Sequence, residues 1–227
     1  MRDMWTLEKQ ETILAWARHL FWADLARRHL DHYAGGSRLK EEWQDWWHFF
    51  ALLSQWYASE YVVLDGWREA DLHDPIIDQS LVRQSDLVGM LRRYRNSVFH
   101  YQPNLIVPKF MQLLEESERS VFWVHYLHSE FVRYYWSYVN DFPGTPEQRS
   151  EFRESVLAIV GWIPDGTVEA KAHRLRQLAA TVDEGTAGDM SDAAEELRNL
   201  AKAARIVAAE GLAHYRKQCR SFLLRSE

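Results

Sequence analysis

The sequence predicts an all-α fold, a helical bundle with additional C-terminal helices. Three observations carry that expectation. Glycine and proline are scarce, 10 and 6 in 227 residues, and they cluster where apolar periodicity breaks. Between those points apolar residues recur at three- and four-residue spacing, which places them on one helix face. No alternating stretch is long enough to read as a strand, although Tyr61-Val62-Val63-Leu64 is β-prone.

The elements follow in order. Thr6 to Tyr33 reads as one helix, with Ile13, Trp16, Leu20, Ala23 and Ala26 on a common face and Gly35-Gly36 as its stop. A second long helix is expected from about Ser37 to Leu64, ending near Gly66. It is dense in aromatics, including Trp43, Trp46, Trp47, Phe49, Phe50, Trp56, Tyr57 and Tyr61. Apolar residues on several of its faces imply burial on several sides. Asp74-Pro75 pairs an N-cap with proline at the first helical position, so a short helix starts there. Ser85 or Asp86 is expected to cap the next helix, which runs to about His100, and Pro103 and Pro108 then enforce a loop. Ser117 to Asn140 is another aromatic helix, stopped by Phe142-Pro143-Gly144. Thr145-Pro146-Glu147-Gln148 opens a further helix with a capping-box pattern. Two more are expected at roughly 166–182 and 191–225.

Composition bounds the function. The chain carries 33 acidic and 27 basic residues, a formal net charge of −6, so a broadly basic nucleic-acid coat is excluded and any such contact is local. A single cysteine excludes an intrachain disulfide and a thiolate zinc site. The same lone Cys219 suits a reducing cytoplasmic setting. The N-terminus lacks the apolar run of a signal peptide. The longest uncharged stretch, Trp46 to Ser59, is shorter than the roughly 20 residues that span a bilayer, so no membrane association is expected. Residues 1–140 hold 26 of the 31 aromatics, whereas residues 141–227 hold five aromatics and 14 alanines. That shift predicts an aromatic-rich bundle over residues 1–140 and an Ala-rich helical region over 145–227, which covers the first part or pairs with another chain.

One segment carries most of the functional information: Leu91-Arg92-Arg93-Tyr94-Arg95-Asn96-Ser97-Val98-Phe99-His100-Tyr101. At about 100° per residue, Leu87, Leu91, Tyr94, Val98 and Tyr101 form an apolar stripe. Asn96 and His100, one turn apart, lie on the opposite face. Arg92 extends that face and Arg95 sits between the two. A basic patch of Arg92, Arg93 and Arg83 stands against the acidic total.

Arg95-Asn96 followed by His100 resembles the R-x(4–6)-H motif of the HEPN superfamily, in which the residue after the arginine is often a polar one such as asparagine. Asp65-Gly66-Trp67, Asp74-Pro75-Ile76-Ile77-Asp78 and Leu127-His128-Ser129-Glu130-Phe131 are also similar to bacterial members, and the resemblance covers about residues 37–140. It implies a HEPN-like helical dimer and a metal-independent endoribonuclease without cofactor. Its site would combine Arg95, Asn96 and His100 from two protomers, with Arg92 and Arg93 contacting RNA. It also implies a place in a toxin–antitoxin or anti-phage defence system, with an antitoxin or defence-system partner protein. The residue types suit that chemistry. Histidine moves protons near neutral pH, and arginine holds phosphate oxygens and the charge that gathers on them. Some members resemble the fold but act as non-catalytic interaction modules, which is the alternative. The sequence departs from one toxin subgroup, whose histidine is followed by x-Tyr as a target for a partner nucleotidyltransferase. Here Tyr101 follows His100 directly and Gln102 holds the expected place.

Other clusters carry less. His125-x-x-His128 and His29-x-x-His32 each put two imidazoles on one helix face, but no third metal ligand stands at a diagnostic spacing, so surface or interface histidines are expected. Glu60 and Asp65 are placed to pair with Arg92 or Arg95. Cys219 has no histidine partner that would activate it. No phosphate-cradling glycine loop, serine elbow or dinucleotide fingerprint occurs.

Overall fold

The computed structural model describes residues 5–35, 43–103, 108–116, 118–183, 195 and 197–202. Its described residues form eight successive helices and a short further helical stretch, with no strand among them. The helices are α1 (Leu7–Gly35), α2 (Trp43–Glu69), α3 (Pro75–Arg83), α4 (Ser85–Phe99), α5 (Pro108–Glu115), α6 (Glu118–Asn140), α7 (Pro146–Val160) and α8 (Val168–Asp183). The all-α expectation therefore holds. The β-prone Tyr61-Val62-Val63-Leu64 is helical, because its aliphatic and aromatic side chains pack in the core at helical spacing.

Helix α1 packs along α2, α2 along α4, and α6 along α8, while α7 rests on α1 and α6. A contiguous apolar core runs through them from Ile13 to Leu178, anchored by buried Trp56, Trp67, Tyr57, Tyr94 and Phe131. Buried indoles usually find a partner for their N–H groups, and Trp56 is the exception, its Nε1 buried without one. Trp16 donates to the Val63 carbonyl at 3.0 Å, Trp67 to Asp78 Oδ1 at 3.2 Å and Trp123 to Ser80 Oγ at 3.2 Å. The Ala-rich region packs onto the aromatic one: Val156, Val160, Leu175 and Leu178 belong to the same core.

Local signals behave as their chemistry requires. Asp74 caps α3, accepting from the Ile76 and Ile77 amides, with Pro75 behind it. Thr145 and Gln148 form a reciprocal capping box at α7, which ends on Gly161 at φ +81°. Three boundaries differ. Helix α2 continues through Gly66 to Glu69, since Gly66 serves a close approach rather than a stop: a Cβ there would lie 3.2 Å from Trp16 Cδ1. Pro108 opens α5 rather than enforcing a loop, as proline's missing N–H is tolerated at a helix start. Gln84, not Ser85 or Asp86, is the N-cap of α4, and its side chain makes no capping bond. Most of the helix expected at 191–225, including Cys219, lies outside the described residues.

Candidate functional site

Helix α4 buries Leu87, Val88, Leu91, Tyr94 and Ser97. The Tyr94 hydroxyl and Ser54 Oγ share a hydrogen bond of 2.9 Å, which pins α4 to α2. The opposite side carries exposed Arg92 and Arg93 and half-buried Arg95 and Asn96. These two are joined: Arg95 Nη1 donates to Asn96 Oδ1 at 3.0 Å. His100 is exposed and is the C-cap of α4. Its N–H donates to the Asn96 carbonyl at 3.2 Å, and its extended backbone (φ −114°, ψ 137°) ends the helix. Tyr101 consequently leaves the apolar stripe expected of it and is 92% exposed, with Phe99 at 48%.

The arginines of α4 differ from others in the chain. Arg27, Arg28, Arg119, Arg133 and Arg176 all pair with carboxylates. Among the described residues no carboxylate pairs with Arg92, Arg93 or Arg95. Arg93 Nε donates to the neutral Gln112 Oε1 at 3.3 Å, and Arg95 lies over the Tyr61 ring. The pairing expected of Glu60 and Asp65 with Arg92 or Arg95 is not made. Glu60 faces His128, and Asp65 accepts from the Tyr61 hydroxyl at 3.4 Å. Arg83, grouped with Arg92 and Arg93 by sequence, ends α3 and lines a cleft of about 200 Å³ with Arg119 and Arg176.

Sequence reasoning missed a second polar cluster, in the core. His128 is buried, with Nδ1 2.8 Å from Glu60 Oε2 and Nε2 3.2 Å from Asp24 Oδ1. Burial works against a charged ring, but the Glu60 charge and the bonds to Asp24 and Glu60 outweigh it, so the His128 pKa is raised. Burial likewise opposes ionisation of Asp24. The bonds and charges of His128 and Arg27 overcome it and hold that carboxyl far below the usual range. His125, stacked edge-on against Trp56 at 4.5 Å, is kept neutral by burial and by neighbouring cations. The pair expected at the surface is thus internal, whereas His29 and His32 are exposed. Among the described residues no three His, Cys, Asp or Glu side chains converge as a metal site, and both His128 nitrogens already face carboxylates. No signal in the sequence joins Asp24, Glu60 and His128, which come from three different helices.

No family model, curated protein or solved structure matches this chain. The end of α4 gathers a guanidinium, a carboxamide and an imidazole within six residues, beside two exposed rings. Side chains of these types are the ones that chemistry on an oxyanion with proton transfer uses. No described helix is long and apolar enough to cross a membrane.

Proposed function

We propose that this protein is a metal-independent endoribonuclease acting at the C-terminal end of α4. The observation that carries the reading is the trio Arg92, Arg93 and Arg95. In a chain of net charge −6 they stand without a carboxylate partner among the described residues, next to exposed His100. Unpaired guanidinium groups beside a titratable ring suit a phosphate that undergoes proton-coupled chemistry.

The reaction that fits is attack of a ribose 2′-oxygen on the adjacent phosphorus. The new O–P bond forms as the bond to the 5′-oxygen breaks, leaving a 2′,3′-cyclic phosphate and a 5′-hydroxyl. His100 takes the 2′-hydroxyl proton or delivers one to the departing 5′-oxygen. Arg95 holds the non-bridging oxygens where charge accumulates, and Asn96 keeps Arg95 in place through its 3.0 Å bond. Arg92 and Arg93 bind flanking phosphates. Acid and base roles call for two groups, which a second copy of the chain supplies in the HEPN-like dimer. A cytoplasmic toxin or anti-phage role, with an antitoxin or defence-system partner, belongs to the same resemblance.

Incubating purified protein with RNA in EDTA tests this. Cleavage that survives chelation and is lost in His100→Ala is the expected result. Full activity in His100→Ala overturns the site. The exposure of Phe99 and Tyr101 also favours a second reading, a non-catalytic dimer that binds a partner protein through those rings. That reading predicts no cleavage at any protein concentration and loss of assembly in Tyr101→Ala.

A further inference from the structure

Arg95 is held in place without being neutralised, and the group that holds it comes from α2. Its Cζ lies 5.9 Å from the centroid of the Tyr61 ring. Tyr61 is 4% exposed and belongs to the core, and its hydroxyl donates to Asp65 Oδ1 at 3.4 Å, so packing and a polar tether both fix the ring. Arg95 Nε is buried and has no hydrogen-bond partner. Apart from Asn96 at Nη1, the aromatic face is therefore what sets the path of this side chain.

Arg27, Arg119, Arg133 and Arg176 are held by carboxylates, whereas Arg153, like Arg95, is held by a ring and a carboxamide oxygen, those of Trp136 and Asn140. A carboxylate aims a guanidinium, but it cancels the charge and competes with any incoming phosphate. An aromatic ring attracts the cation through its quadrupole and adds no opposing charge. Asp65, one turn further along α2, is the available alternative, and it bonds the Tyr61 hydroxyl instead.

From this geometry we infer that Tyr61 is a positioning residue for Arg95, its ring aiming a fully charged guanidinium at the RNA phosphate. The inference rests on the endoribonuclease reading and refines it. Tyr61 touches no reacting atom; it acts only through Arg95.

The test compares wild type, Tyr61→Leu and Tyr61→Phe in cleavage and in RNA binding across a salt series. Each phosphate contact to a single strand contributes about 0.7 to the slope of log K against log[salt]. Tyr61→Leu is expected to lower that slope by about 0.7 and kcat/KM by roughly 10- to 100-fold, as misplaced groups do. Tyr61→Phe keeps the ring and is expected to recover both. A folded Tyr61→Leu with the wild-type slope and rate overturns the inference. So does a Tyr61→Phe as impaired as Tyr61→Leu, which would place the effect in the hydroxyl. Should Tyr61→Leu fail to fold, proton NMR of wild type and Tyr61→Phe decides. Arg95 side-chain resonances displaced upfield by the ring current in both support the assignment, and undisplaced resonances overturn it. If wild type neither binds nor cuts RNA, the endoribonuclease reading fails and takes this role with it. If wild type cuts RNA and Tyr61→Leu cuts it equally well, only the role of Tyr61 fails.

Discussion

Both nitrogens of His128 face carboxylates, and all three side chains are withdrawn from solvent. The sign of the resulting pH dependence follows from the shifts. The folded pKa of His128 is raised above 6.5, so its contribution is complete below that value and is lost as pH rises through the folded pKa. The folded pKa of Asp24 is lowered from 3.8, so its contribution is complete above that value and is lost as pH falls through the folded pKa. Asp31, raised by burial, opposes Asp24: its contribution declines as pH climbs from 3.8 to the raised value. Stability from the triad is therefore greatest in the mildly acidic range. His125, held well below 6.5, acts in the opposite sense: its contribution is complete above 6.5 and declines as pH falls below it. The His128 part is therefore read as the difference in urea stability between wild type and His128→Leu, expected to be larger at pH 5.5 than at pH 8.5, and an equal difference at both would contradict the assignment. His128→Leu leaves the buried Glu60 carboxylate without its imidazole, while Asp24 keeps Arg27 and Arg28, and should cost about 3–5 kcal/mol at pH 5.5. The contrast with α4 shows what a sequence discloses at this scale. Arg95, Asn96 and His100 fall within six residues and can be found by inspection. His128 meets Glu60 across 68 residues and Asp24 across 104, separations that no local pattern encodes.

Among the elements, the helix starts at Asp74 and Thr145 were legible because a cap is a bond between neighbours in the chain. Gly66 was misread for the converse reason. Its role is set by Trp16, fifty residues earlier, and a glycine that ends a helix looks the same in sequence as one that admits an indole. Gly66→Ala tests the distinction. A glycine in an exposed helix interior gains about 1 kcal/mol on becoming alanine. Here the added methyl meets Trp16, which is buried, bonded to the Val63 carbonyl and packed against Trp67, Phe131 and Tyr134. It has little room to yield, and overpacking costs about 1–3 kcal/mol. The variant is expected to lose about 1 kcal/mol in chemical denaturation, whereas a gain would show that the indole moves aside. The end of α4 was also only partly legible. Helical periodicity puts His100 on the helix and Tyr101 in its apolar stripe, yet the extended backbone of His100 stops the helix and releases Tyr101 to solvent.

For the whole molecule, the all-α class was legible from glycine and proline placement, while the way the helices fasten to one another was not. Helix α8 is tied to α6 by Arg176 on Glu130, and the same carboxylate receives Arg133, which reaches Asp74 at the head of α3. A buried carboxylate shared by two arginines has no signature in a single sequence. The proposed reaction needs groups from two copies of the chain, so its rate depends on assembly. Specific RNA-cleaving activity is expected to fall on dilution through the dimer dissociation constant, in step with the dimer fraction measured by sedimentation. Activity proportional to protein concentration while the dimer dissociates would place both proton-transfer groups in one protomer.

The span between Asp24 and His128 also constrains the order in which the chain folds. Helices α1 and α2 are made first, and each carries an acidic side chain on the surface it will bury. Until α6 arrives, closing those surfaces would trap Glu60 without its imidazole, while Asp24 holds only Arg27 and Arg28 of its own helix, at a cost of several kcal/mol. The N-terminal helix pair therefore has reason to stay loosely docked while it waits, and final consolidation of the core belongs to a late step. In φ-value terms, substitutions at His128 should accelerate unfolding and leave the folding rate nearly unchanged.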